Sequence, residues 1–91
     1  MRTPDFAVTV RKMKLGRSAA NAKLVALGKV IRKVRVAKGL SRRQLAARCK
    51  LGAEHIIRIE LGKVRLRILT LVTIARALGI SVAKLLGEAK L

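Results

Sequence analysis

Ninety-one residues are enough for one small domain with a single core and too few for two. A hydrophobic fraction of 52% excludes a disordered chain, even with 29% charged residues. The 22 Lys and Arg face only 4 Asp and Glu, a formal charge of +18, so most cations lack an internal partner. A polyanion is the expected ligand, with nucleic acid ahead of an anionic membrane surface.

In chain order, residues 1–21 stand apart from the rest. Phe6, Val8 and Val10 alternate with Ala7 and Thr9, the period of a short strand. The cations Arg11, Lys12, Lys14 and Arg17 follow, then a small, polar linker from Ser18 to Asn21. We read this stretch as a flexible basic arm that reaches a nucleic-acid groove. A solvated tail, or a strand at 6–10 that pairs with a second copy, are the alternatives. The segment is too charged for a secretion signal, although its basic, acid-poor composition has some transit-peptide character.

Residues 22–38 predict a helix, with Leu24, Leu27, Val30, Ile31, Val34 and Ala37 on a buried stripe and Lys29, Arg32 and Lys33 outside. Gly39 is its left-handed stop. Ser41 can cap a second helix over Arg42–Cys49, with Gln44 completing a capping box. Leu51 and Gly52 interrupt the pattern. A third helix over about Ala53–Glu60 turns Ile56 and Ile59 inward, and Gly62 closes it. After the loop Leu61–Arg67, a fourth helix covers roughly Ile68–Leu78, with Ile68, Leu71, Ile74, Ala75 and Leu78 inward, and stops at Gly79. Ser81 then caps a short last helix with Val82, Leu85 and Leu86 inward. The expectation is an all-α, compact five-helix domain over residues 22–91, preceded by the arm.

The second and third helices form a helix-turn-helix, in which the second member enters the DNA major groove. Residues 27–86 resemble the phage-repressor (lambda-repressor-like, Xre/Cro-type) helix-turn-helix family. The resemblance is carried by LGKVIRKVRVAKGLS at 27–41, QLA at 44–46, IIRIELGK at 56–63 and TLVTIARALGISVAKLL at 70–86. It implies sequence-specific binding of double-stranded DNA, frequent homodimers, and an ion pair between Arg35 and Glu60. One departure stands out: relatives usually carry Gly in the turn where this chain has Lys50. Left-handed geometry at a lysine costs about 1–2 kcal/mol, so the turn is expected to be rebuilt around Gly52.

The alignment implied by the resemblance places Gly52, Ala53, Glu54, Ile57 and Arg58 toward the bases. Arg58 can bond guanine O6 and N7 together, Glu54 can accept from a cytosine amino group, and Ala53 or Ile57 can meet a thymine methyl. The bland readings are a phosphate contact for Arg58 and a helix-dipole role for Glu54. Arg42, Arg43, Lys50, Lys63, Arg65 and Arg67 flank the third helix as phosphate ligands. Six to ten such contacts would lower affinity by about 10³–10⁵ between 50 and 200 mM salt.

Leu61, Leu69 and Val72 are apolar where relatives are often polar, and suggest a patch for a second subunit. Cys49 reads as a buried thiol and His55 as a surface residue. With one Cys and one His, a monomer has no metal site of ordinary spacing, and no nucleophile–base or carboxylate pair suggests an enzyme. No cofactor, small-molecule substrate or membrane span is expected. The function expected is a cytoplasmic, nucleoid-associated transcription regulator, probed against two rivals: an RNA or ribonucleoprotein binder, and a protein-interaction or architectural module with little sequence preference.

Overall fold

A computed structural model describes residues 21–91, and the arm residues Arg11, Lys12, Lys14 and Arg17, with the strand expected at 6–10, lie outside them. Five helices and no strand make up the described chain: α1 through residues 21–37, α2 Arg42–Cys49, α3 Ala53–Glu60, α4 Ile68–Leu78 and α5 Val82–Glu88. The bounds of α2 to α4 coincide with those predicted, although Gly52 and Arg67 start α3 and α4 without a side-chain cap. Ser41 accepts from the Gln44 amide at 3.0 Å while the Gln44 side chain accepts from the Ser41 amide at 2.8 Å, the reciprocal box. Ser81 caps α5 through the Lys84 amide.

Successive helices close in one way. The residue after the last turn adopts a left-handed conformation, and its own amide and the next one donate back to the helix's final carbonyls. Gly39, Gly62 and Gly79 serve α1, α3 and α4, with φ near +70°. Two helices close on a lysine instead: α5 on Lys90 at φ 60°, and α2 on Lys50 at φ 56° and ψ 40°, with the Leu51 amide donating to the Ala46 carbonyl at 2.9 Å. The turn is therefore not rebuilt around Gly52, which is extended (φ −79°, ψ 149°) and caps α3. Three residues between α2 and α3 leave room for only one closing geometry, and the lysine accepts it. Lys50→Gly should raise the domain's stability by about 1 kcal/mol. Thermal denaturation should report this as a shift of about 4–8 °C.

The core is continuous: Leu27 and Ile31 from α1, Leu45, Ala46 and Cys49 from α2, Ile56 and Ile59 from α3, Leu71, Ile74, Ala75 and Leu78 from α4, and Leu85 from α5. The α1 stripe is narrower than predicted. Leu24, Val30 and Val34 are half-buried, Ala37 is exposed, and the helix ends at 37 rather than 38. Arg35 is buried instead, so this face of α1 is committed partly to a charge. α4 and α5 are together apolar enough to suggest a membrane segment, but a 95° bend separates them and their apolar side chains supply the core. Among the described residues no single helix is long and apolar enough to cross a membrane.

Two glycines set how closely α1 approaches α3. A Cβ on Gly28 would lie 2.5 Å from the backbone oxygens of both Ile59 and Glu60. A Cβ on Gly62, itself at φ +71°, would meet the Val25 backbone at 2.6 Å. The first half of α1 thus rests on bare backbone at the C-terminus of α3.

Candidate nucleic-acid interface

The placement of α3 starts from its inward residues. Ile56 is fully buried, Ile59 and Glu60 nearly so, and their 3–4 spacing turns Glu54, His55, Ile57 and Arg58 outward. Gly52 supplies no side-chain cap, and Glu54 in the first turn faces the positive end of the helix dipole. Glu54 and Arg58, four residues apart, form the exposed ridge. Ile57 lies on one flank of it and His55 on the other. Ala53 is half-buried and packs against the core, so less of it faces outward than the alignment suggested.

Beneath this ridge, Glu60 ties three helices together. Its carboxylate accepts from Arg35 Nε at 2.6 Å and from Arg42 Nε at 3.0 Å. Arg35 also donates a second, longer bond to it at 3.3 Å and another to the Leu40 carbonyl at 2.8 Å. The Glu60 side chain is 2% exposed and that of Arg35 8%, whereas that of Arg42 is 42% exposed. An acid so buried requires a cation, and Arg35 supplies it from within the core. Arg42 supplies the second from the rim. Among the described residues no buried side-chain N or O lacks a partner.

Arg42 was expected to serve phosphate alone, but its Nε is engaged by Glu60, leaving the outer edge of the guanidinium for a ligand. No local sequence signal gives this second pairing, because Arg42 and Glu60 are 18 residues apart and meet only when α2 packs against α3. Arg43 is exposed on the first turn of α2, Lys50 on the turn, and Lys63, Arg65 and Arg67 along the loop to α4. The described residues therefore place cations on both sides of α3.

Two depressions border α3. One, of about 300 Å³, is lined by His55, Arg65, Leu66, Arg67 and Thr70. The other, of about 340 Å³, lies between α1 and α3 and includes Lys29, Arg32 and Arg42. Sequence reading left Lys29 and Arg32 as unassigned surface residues and gave His55 no role, because only the packing of α1 and the loop brings them beside α3.

The three apolar residues suggested as a patch do not gather. Leu61 lines the α1–α3 depression, whereas Leu69 lines a smaller one with Cys49 and Leu51. Leu69 is 77% exposed and Val72 half-buried, and Ile68, expected to face inward, is 66% exposed because it opens α4 ahead of the turn that reaches the core at Leu71. Cys49 is buried, and its desolvation pushes the thiol up from its ordinary pKa, which lowers its reactive thiolate fraction. Among the described residues no group of three or more His, Cys, Asp or Glu is placed to hold a metal ion.

Comparison with known proteins agrees with this geometry. No curated protein matches the chain closely. Among solved structures it is similar to the clp gene regulator ClgR from Corynebacterium glutamicum, at 32% identity and a TM-score of 0.72, over 75% of this chain and 88% of that one. It is also similar to the restriction-modification controller protein C.AhdI from Aeromonas hydrophila, at 33% identity and a TM-score of 0.69, over 70% of this chain and 97% of that one. A hypothetical transcription factor, NHTF from Neisseria, is 29% identical with a TM-score of 0.65, over 68% and 71% of the two chains. Residues 31–85 match the sequence profile of the helix-turn-helix family HTH_3. The chain belongs to this lambda-repressor-like (Xre/Cro-type) family of helix-turn-helix proteins.

Proposed function

We propose that this protein is a transcription regulator that binds double-stranded DNA, acting in the cytoplasm with α3 in the major groove. DNA-binding regulation is the family's activity, and both ClgR and C.AhdI are regulators by description. The observation that carries the finer reading is the Glu54–Arg58 ridge, exposed on a helix whose other face is locked into the core. An α-helix with side chains is about 10–12 Å across, and the major groove is about 12 Å wide. In this reading Arg58 contacts a guanine, Glu54 and Ile57 (with Ala53 beside them) meet neighbouring base edges, and Arg43, Lys50, Lys63, Arg65 and Arg67 hold phosphates. A second copy covers the exposed Ile68 and Leu69 at the start of α4, as in a dimer on a palindromic site.

Selection from random duplexes, repeated at two salt concentrations, tests the proposal. A motif is expected, with palindromic halves if the dimer forms. Arg58→Ala should relax one base position by about 1–3 kcal/mol while leaving the others unchanged. Binding without any motif would point to a duplex coater, since α3 offers few hydrogen-bonding groups. Stronger competition by structured RNA at matched salt would turn the reading to RNA.

A further inference from the structure

Lys29 and Arg32 stand on α1, one turn apart, beside Arg42 at the first turn of α2. With the apolar side chains of Val25, Ile57 and Leu61, and with Glu60, they line a single open depression of about 340 Å³ along one flank of α3. Lys29 and Arg32 are exposed, and no ion pair among the described residues engages either. Arg42 is held in place by Glu60 through its Nε, so the remaining guanidinium nitrogens are fixed at the rim rather than free to wander.

We infer that this depression is a seat for one strand of the nucleic-acid backbone, with Lys29, Arg32 and Arg42 on its phosphates and the apolar floor against its deoxyriboses. The inference rests on the duplex-DNA reading above and extends the interface to α1. A helix that fills the major groove brings its two flanks toward the two bordering strands. One flank of α3 carries the His55–Arg65–Arg67 depression, and the other carries this one. A sugar–phosphate chain alternates anionic and apolar surface, and so does this site, with cations around an apolar floor. Glu60 also lines the depression, but its side chain is 2% exposed and its carboxylate engaged by Arg35 and Arg42, so it acts as a positioning residue that orients the Arg42 guanidinium. Leu61 is then a sugar contact rather than part of a dimer patch.

The test compares two double variants of the full chain that remove equal charge from opposite flanks of α1. Lys29→Ala/Arg32→Ala empties the proposed seat, and Lys33→Ala/Lys38→Ala removes two exposed lysines bordering the depression beside α5. Binding of a fluorescent duplex is followed by anisotropy across a salt series, and circular dichroism verifies that both variants fold. Loss of two phosphate contacts should flatten the slope of log K against log salt by about 1.8, and weaken binding roughly 50-fold near 0.1 M salt. The control pair should change the slope by less than about 0.5. Equal losses and equal slopes for both pairs would overturn the seat and leave only a diffuse charge effect, while the duplex-binding reading would survive. If the unaltered protein bound no duplex, that reading would fail first and the seat with it.

Discussion

Glu60→Ala is expected to remove about a third or more of the domain's folding stability. The substitution removes the one carboxylate among the described residues that pairs with Arg35, whose side chain is 8% exposed and cannot turn to water without opening the core. Breaking a buried pair from one side costs about 3–5 kcal/mol, because the surviving charge is left uncompensated. At roughly 0.05–0.15 kcal/mol per residue, a domain of this size has about 4–10 kcal/mol in total. The Tm should fall by more than about 15 °C. Arg42→Ala removes the exposed partner and should cost about 1 kcal/mol or less. Melts followed by far-ultraviolet circular dichroism would show both effects, and a Glu60→Ala protein within about 1 kcal/mol of the parent would sink the argument. Replacing the buried pair together, as Arg35→Met with Glu60→Leu, should recover much of the loss, since apolar isosteres avoid the desolvation of two ions.

Gly28→Ala sets two effects of opposite sign against each other. Alanine is the better helix former by about 1 kcal/mol, but its Cβ would sit 2.5 Å from two carbonyl oxygens of α3. Those oxygens belong to backbone and cannot swing aside as the end of a side chain could. Relief requires α1 to back away from α3, which loosens Arg35 from Glu60 as well. Overpacking in a tight contact costs about 1–3 kcal/mol and occasionally more, and with the ion pair strained the net loss should reach about 3 kcal/mol. Gly87→Ala supplies the contrast, because nothing lies within 4 Å of that added Cβ in α5. That variant should be neutral or up to about 1 kcal/mol more stable. Urea titrations of both variants measure the two signs, and a stabilised Gly28→Ala protein would show that α1 is free to shift.

What could be read from the chain alone follows the range of the interactions involved. Helix boundaries were legible because the Ser41–Gln44 box, Ser81, Gly39 and Gly79 act over three to six residues. The ion pair of Arg35 and Glu60, implied by the family likeness, is present with both partners buried. Three features escaped because they depend on distant parts of the chain. Lys50 takes the left-handed position although a glycine stands two residues on, since the length of the connection outweighs the local cost. Gly28 reads as an unfavourable helix residue until the α3 carbonyls are placed beside it. Arg42 reads as a free surface cation until Glu60 arrives from α3. The ridge residues Glu54 and Arg58 were legible as outward-facing, and their contacts with bases remain the proposal that the duplex selection tests.

The way α3 is held has a consequence for how such a protein changes its target. Its anchorage comes from Ile56, Ile59, the Glu60 carboxylate and the bare backbone that Gly28 touches, and none of these is a ridge side chain. The side chains of Glu54 and Arg58 are exposed and make no hydrogen bond to another part of the described chain. Their identities are therefore uncoupled from the scaffold's stability. If positions 54 and 58 face the bases as proposed, new base preferences can be written there with little penalty in folding, on a frame that stays fixed.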